Sequence, residues 1–408
     1  MTYRDTAAAA RVCAGWCVAL LGLSIPISTA LDGVLVGVMS IAWLIALPSD
    51  LRPALAAWVR VRPTLVALLL FCVLLAACAW SSVPWKTAWS AASKYIDLLL
   101  IPVFMWAAAP IRVRTRALYC FLAAVALNLL VSYGSALGFW ERLPGLYTVP
   151  DYPVGFRLSI THNILVSLGA FMFLLLARET RRPGVRVACM AMAAICAHNV
   201  LFIVIGRTGY VVLAVLLTYF ILNAIVDRRH VLMAFLALTA LFASAYVGSD
   251  HFSARMQDIV SDLTQWRPEA GDKTSVGQRI GYYRTTLQII AEHPITGVGS
   301  GGFARAYAEK VKGTDAQVTV NPHNDYLMLA AQAGLPALLL LLALYVLLWR
   351  EAPRLATRLE RDALRGLVLT IAIAGLFNSA LMDHVEGLLF AWGAGVALAS
   401  RRPAIEAR

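Results

Sequence analysis

Apolar residues in this chain come in long blocks separated by short polar joints. A block of about 17–25 residues is what an α-helix needs to cross the hydrocarbon of a bilayer. Read on that length, the pattern predicts twelve spans, at roughly 12–29, 31–47, 64–80, 96–109, 117–137, 161–177, 187–205, 211–226, 231–247, 326–349, 366–382 and 387–400. One stretch breaks the pattern. Between Gly248 and Asp325 the chain is polar for too long to be a simple connection. The organisation predicted is therefore a nine-span bundle (1–247), one large loop (248–325) and three closing spans with a short tail (326–408).

Inside that loop, "VGQRIGYYRTTLQIIAEHP" (Val276–Pro294) places Ile280, Tyr283, Leu287 and Ile290 three or four residues apart, which predicts an amphipathic helix. Pro294 ends it, and "ITGVGSGGF" (Ile295–Phe303) predicts a turn. The loop is expected to fold over one end of the bundle.

Composition agrees. Hydrophobic residues are 60% of the 408, charged residues only 14%, and the mean hydropathy is +0.72. The ten-residue alternation of a membrane β-barrel is absent. The fold class is an all-α polytopic membrane protein. The net charge of +12 belongs to topology, not to nucleic acid, because the arginines crowd into alternate joints such as "PIRVRTR" (Pro110–Arg116) and "RETRRPGVR" (Arg178–Arg186). With the N-terminus inside, the other joints hold only Lys86, Lys94, Arg142, Arg157 and Arg207. That bias puts both termini in the cytoplasm and the large loop outside. "SIPISTA" (Ser24–Ala30) mimics a signal-peptide cleavage site, but the next apolar block starts at once, so the first span is read as uncleaved. The seven cysteines lie in or beside apolar blocks and form no disulfide framework.

Polar chemistry collects at the outer ends of the spans. "NPHND" (Asn321–Asp325) opens a span: Asn321 reads as the helix cap and Pro322 as its first residue, which leaves the amides of His323 and Asn324 for an anion. His323 can bind or move a proton near neutral pH. Arg207 sits in a tight turn, "VIGRTGY" (Val204–Tyr210), where Gly206 and Gly209 are read as letting the backbone bend; an arginine there faces a cavity or snorkels. Arg279 and Arg284 ride the loop helix. Arg142 and Arg157 flank "GFWERLPGLYTVPDYPVGFRLSI" (Gly138–Ile160), whose Tyr147 and Tyr152 suit either a sugar or an interfacial belt. His162–Asn163 echo His323–Asn324 and read as structural. Asp383, His384 and Glu386 either assist a polar site or solvate a turn. "GVGSGG" (Gly297–Gly302) follows a helix, so the dinucleotide reading fails, while a backbone nest for phosphate stays open. No metal-binding spacing, no Asp-x-Asp pair and no nucleotide-binding loop is present, so no cofactor or metal is implied.

"NPHNDYLMLAAQAGLPALL" and "QRIGYYRTTLQIIAEHPITGVGSGGF" together resemble the His-Asn and the Arg…His-Pro-x-x-Gly-x-Gly segments of the O-antigen ligase and polymerase superfamily. The motifs cover 277–338, and the order of spans, arginine turn, large loop and histidine helix is similar over nearly the whole chain. The resemblance implies a GT-C-like bundle in the bacterial inner membrane. It implies a metal-independent, inverting glycosyltransferase with its site on the periplasmic face. The donor would be polysaccharide on undecaprenyl pyrophosphate, and the acceptor lipid A–core oligosaccharide. The family's catalytic positions fall on Arg207, Arg279 and His323, with Arg284 and Asn324 as further pyrophosphate contacts and Arg142, Arg157, Tyr147 and Tyr152 on the sugar side. His323 is implied either as general base or as a diphosphate ligand.

Polymerases of the superfamily show two large outer loops with Arg-x₁₀-Gly patterns. Here the eleventh residue after Arg279 is Ile290 and after Arg207 is Thr218, and one outer loop is large, which favours ligase. Protein O-oligosaccharyltransferases carry a longer C-terminal extension. A transporter or flippase would need inverted repeats or broken helices near the bilayer midplane, and neither is legible.

Overall fold

The computed structural model describes residues 3–139, 148–149, 151–224, 227–265 and 275–402, and its regular elements are helices. They are α1 (Tyr3–Ser24), α2 (Thr29–Arg60), α3 (Arg62–Ala76), α4 (Trp85–Ser93), α5 (Ile101–Ala107), α6 (Ile111–Ala136), α7 (Ser159–Glu179), α8 (Pro183–His198), α9 (Arg207–Ala224), α10 (Arg228–Gly248), α11 (Asp250–Gln265), α12 (Ser275–Glu292), α13 (Phe303–Lys310), α14 (Asp325–Glu351), α15 (Arg358–Phe377) and α16 (His384–Leu398).

Each of the twelve predicted spans coincides with a helix, but they are not equal. Among the described residues eight helices are long and apolar enough to cross a membrane: α1, α2, α6, α7, α8, α9, α10 and α14. Residues 85–107 make a ninth if a pair bent by 50° counts as one span. α3 and α16 are apolar but shorter. α15 opens with Arg358, Glu360, Arg361, Asp362 and Arg365, and its apolar part is correspondingly brief. These helices make this a membrane protein. α1 packs on α2 and α6, α7 on α8 and α9, and α14 on α3 and α15, around one continuous apolar core.

The predicted unbroken helix after His323 is corrected by the structure. α14 is interrupted at Ala333 (φ −132°) and Gly334 (φ +76°). An interruption frees backbone groups that a low-dielectric interior cannot leave unpaired. The turn predicted at 295–303 meets them. Leu335 N–H donates to Pro294 O at 2.8 Å, and Val298 N–H donates to Ala331 O at 2.8 Å. Gly301 N–H donates to the Gln332 side-chain oxygen at 2.6 Å. The same turn is fastened to the end of α3: Ser300 Oγ donates to Leu74 O, Ser81 Oγ to Ser300 O, and Trp80 Nε1 to Thr296 O. This answers the phosphate-nest reading. The amides of Gly297, Val298, Ser300, Gly301 and Gly302 all donate to protein acceptors, so the loop is a clamp. The contact is close enough that a Cβ on Gly334 would lie 2.0 Å from Ile295 O.

The segment before α14 has a small core of its own, in which Tyr282, Ile289, Phe303 and Tyr307 meet Met328 and Ala331 of α14. The amphipathic helix is present as α12, but its buried stripe differs from the predicted one. Tyr282, Thr286 and Ile289 pack inward, whereas Leu287 is 55% exposed and lies with Ile280 and Arg284 along an outward groove. α12 is apolar on two sides, and spacing alone does not say which side the bundle takes.

Gly334→Ala is expected to lower the unfolding temperature in detergent, since it combines a left-handed φ, costing about 1–3 kcal/mol, with a backbone clash. Gly281→Ala on α12, where an added Cβ meets nothing within 4 Å, serves as the control and should be neutral or slightly stabilising by thermal-shift fluorescence.

Candidate functional site

α14 begins later than its sequence suggests. The cap is Asn324, whose side-chain oxygen accepts from Leu327 N–H at 2.9 Å and whose Nδ2 donates to Leu376 O at 3.0 Å. Both ends of that amide are occupied, which makes Asn324 a structural residue in this conformation. Asn321 instead accepts from His323 N–H at 2.8 Å and from Ser379 Oγ at 2.7 Å. The His323 amide expected to face an anion is therefore taken, and Pro322 lies outside the helix. Asp325, fully buried at the first helical position, accepts from Leu381 N–H at 3.1 Å, a favourable place for an acidic group.

His323 itself holds φ +55°, and it is the one non-glycine with positive φ among the described residues. Such a conformation persists only where surroundings fix it. Here Asn321 holds its amide, Tyr283 Oη reaches its carbonyl at 3.3 Å, and the Tyr282 ring stacks beside its imidazole with centroids 6.3 Å apart.

The imidazole lies beside an Asn378–Asp383 arm. Asn378 Nδ2 donates to the Asp383 carboxylate at 3.3 Å. A carboxylate only accepts, so the amide of Asn378 must present its oxygen the other way. That oxygen lies 3.5 Å from His323 Nδ1. The tautomer that this oxygen favours carries its proton on Nδ1 and its lone pair on Nε2. Desolvation raises the Asp383 carboxyl, while Lys94, the Asn378 amide and His323 pull it down.

Arg279 stands one turn before Tyr283 on α12, and Tyr283 Oη also donates to Leu376 O at 2.8 Å. Burial lowers the Arg279 guanidinium; the Tyr283 phenol opposes this, and the charge of Arg207 lowers it further. The charge of Arg207, at the start of α9, thus acts on Arg279 near the start of α12. Arg207 Nη2 contacts Asp258 of α11 at 3.1 Å, with the Arg207 side chain 17% exposed and that of Asp258 46% exposed. Gly206 and Gly209 serve Arg207 differently from the sequence reading. Neither has positive φ. A Cβ on either would meet the Asn163 side chain within 2.5 Å, and Asn163 Nδ2 in turn donates to Val204 O. His162 beside it accepts from Gly155 N–H and bonds Asn199 Oδ1 at 2.8 Å, fully buried. The His162–Asn163 pair is scaffold under the arginine turn, as read.

Not every candidate joins this group. Arg284 is exposed on the outer side of α12. Arg157 is bonded to Ile25 O at 2.6 Å and lies 3.4 Å from Asp32; burial lowers it, and Asp32 and Glu386 oppose that. Tyr152 Oη accepts from Ser159 N–H at the start of α7. Arg142 and Tyr147 lie outside the described residues. Glu386 is buried and accepts from Thr161 Oγ1, and His384 lies 3.5 Å from Asp32. Sequence reasoning missed Tyr283 and Asn378 and left Asp383 undecided. Their signal was faint: "NSALMD" (Asn378–Asp383) is a polar-ended turn between two apolar helices.

Among the described residues no group of three or more His, Cys, Asp or Glu is placed to hold a metal ion. What the structure brings together is Arg279, desolvated by burial and under the charge of Arg207, and a histidine whose carbonyl is reached by Tyr283 of the same helix α12. That combination suits a multivalent anion next to a proton to be moved. Inorganic pyrophosphate is expected to raise the unfolding temperature more than sulfate does. Arg279→Gln should remove that difference; an unchanged shift would place the anion elsewhere.

The family model described as O-Antigen ligase matches residues 192–342, less than half of the chain. The match runs from α8 into α14 and takes in Arg207, Arg279 and His323, but not Asn378 or Asp383. No curated protein matches the chain.

Proposed function

We propose that this chain is an O-antigen ligase that transfers polysaccharide from undecaprenyl pyrophosphate to a hydroxyl of lipid A–core at the periplasmic face of the inner membrane. The observation that carries the proposal is Arg279 on α12, desolvated and under the charge of Arg207, with Tyr283 of the same helix reaching the carbonyl of His323, whose ring lies beside Asn378. The partial family match supports the class of reaction. Twelve spans in a GT-C-like bundle, both termini cytoplasmic, with 248–325 as the periplasmic loop between two membrane portions, complete the reading.

In this mechanism the two guanidiniums take the pyrophosphate oxygens through charge-assisted hydrogen bonds. Anion binding relieves both penalties on Arg279, its desolvation and its repulsion by Arg207. His323 Nε2 accepts the proton of the acceptor hydroxyl as that oxygen attacks the anomeric carbon from the face opposite the pyrophosphate. The new C–O bond forms, the bond to the pyrophosphate oxygen breaks, and configuration inverts. The leaving group departs as undecaprenyl pyrophosphate, its added charge met by Arg207 and Arg279. Asp383, through Asn378, keeps the proton on Nδ1 and stabilises the imidazolium that forms.

General-base help is worth about 10²–10⁴ in rate. His323→Asn, which tolerates the left-handed backbone, is expected to lose that factor in a transfer assay with purified donor and lipid A–core. Asp383→Ala is expected to lose about tenfold or more, with donor KM little changed. In cells, deletion should leave bare lipid A–core and accumulate long lipid-linked polymer. Core bearing a single repeat would instead mean a polymerase, and an unchanged profile would sink the transfer reading for this acceptor.

A further inference from the structure

The end of the bundle away from this site carries a second feature. Between α6, α7, α15 and α16 lies an apolar cavity of about 210 Å³, walled by Leu168, Met172, Leu364, Leu367 and Trp392. It runs along α6 from Ile111 to Phe121, a depth of about 15 Å at helical rise. Its mouth is at the start of α15, at Thr357 and Glu360. α15 is 20 residues long and ends beside Leu376, whose carbonyl holds Tyr283 and Asn324, so about 30 Å separates the two places. Rim residues Ile111 and Tyr119 are 61% and 58% exposed to the surroundings.

The charge at the mouth is one-sided. α6 has no acidic residue in its first turn; it has Arg112 and Arg114 there and Arg116 one step on. A helix start is already the positive end of a dipole, so arginines there are unfavourable unless an anion meets them. Arg114 has a counter-ion in Glu360 at 2.8 Å. Glu360 is also committed to capping α15, accepting from Thr357 N–H at 3.1 Å. Arg116 lies over the Trp16 ring at 4.3 Å, and Arg112 is exposed. A void lined by apolar side chains forfeits dispersion contacts, and in a bilayer the available filling is hydrocarbon.

We propose that this groove binds one acyl chain of an anionic glycerophospholipid, with the lipid phosphate at the arginines that open α6. The chain fills the slot between α7 and α15. The phosphate supplies the negative charge that the first turn of α6 lacks. The site is a lipid site distinct from the proposed donor site, and neither depends on the other.

The full-length protein, purified and stripped of lipid in detergent, tests this. Dioleoyl phosphatidylglycerol is expected to raise Tm about twice as far as dioleoyl phosphatidylcholine, as a ligand of the folded state does. Ala363→Phe, which fills the groove from α15, should lose most of the phosphatidylglycerol shift. The double variant Arg112→Ala/Arg116→Ala should respond equally to both lipids. Equal shifts in the wild type, or an undiminished shift in A363F, overturn the proposal. If A363F does not purify, dihexanoyl phosphatidylglycerol decides on the wild type. Its chains are too short to fill the slot, so a shift as large as the dioleoyl lipid gives overturns the proposal, and a lost shift supports it.

Discussion

A helix that is interrupted inside a water-poor bundle leaves carbonyls and amides that something must meet, and in this protein the 294–302 turn meets them. The turn donates to Ala331 and Gln332 and accepts from Leu335, while Ser300 and its neighbours hold it to the end of α3. α12 ends just before that turn and α13 starts just after it. The segment from α12 to α13 is therefore anchored at its middle, at the level of the break in α14. Arg279 and Tyr283 are carried on α12, and His323 precedes α14. This splice, together with the Tyr283 hydroxyl at the His323 carbonyl, holds α12 against α14.

The apolar blocks made the helices legible because hydrophobic run length is a one-dimensional property. Helix existence survives wherever the run is long, as in α2, α7 and α10. The break at Ala333–Gly334 was not legible, because its cause is a loop that arrives from thirty-odd residues upstream. The glycines of that loop looked like a ligand cradle for the same reason: sequence shows that a backbone is accessible without showing what reaches it. Arg207 and His323 were visible as polar residues at span ends, and Arg279 as an arginine of the loop helix. Their helpers were not. Asn378 and Asp383 belong to another helix pair, and their link to His323 exists only in the packed bundle. Arg157 shows the converse, an arginine with a promising position whose guanidinium is spent on Ile25 and Asp32.

Charge is used differently at the two ends. At the candidate site burial raises the cost of the Arg279 charge, and Arg207 adds to it. Arg207 has Asp258 at 3.1 Å, and arginines elsewhere are paired too, as in Arg178 with Asp362 at 2.7 Å and Arg11 with Asp50 at 2.6 Å. A desolvated cation that is repelled by its neighbour is a poor stabiliser and a good receptor. The protein's stability must come from the apolar core, which leaves the site free to be electrostatically unfavourable until filled.

The left-handed backbone of His323 has a consequence for genetics. Position 323 sorts side chains on two unrelated scales, tolerance of φ +55° and possession of a ring nitrogen. Glycine and asparagine satisfy the first and fail the second; β-branched residues fail both. A saturation library at this codon would thus rank valine below glycine for reasons that have nothing to do with protons. Only the step from asparagine to histidine isolates the chemistry. The backbone constrains drift at this codon whatever the chemistry, and under the proposed reaction the ring nitrogen constrains it a second time.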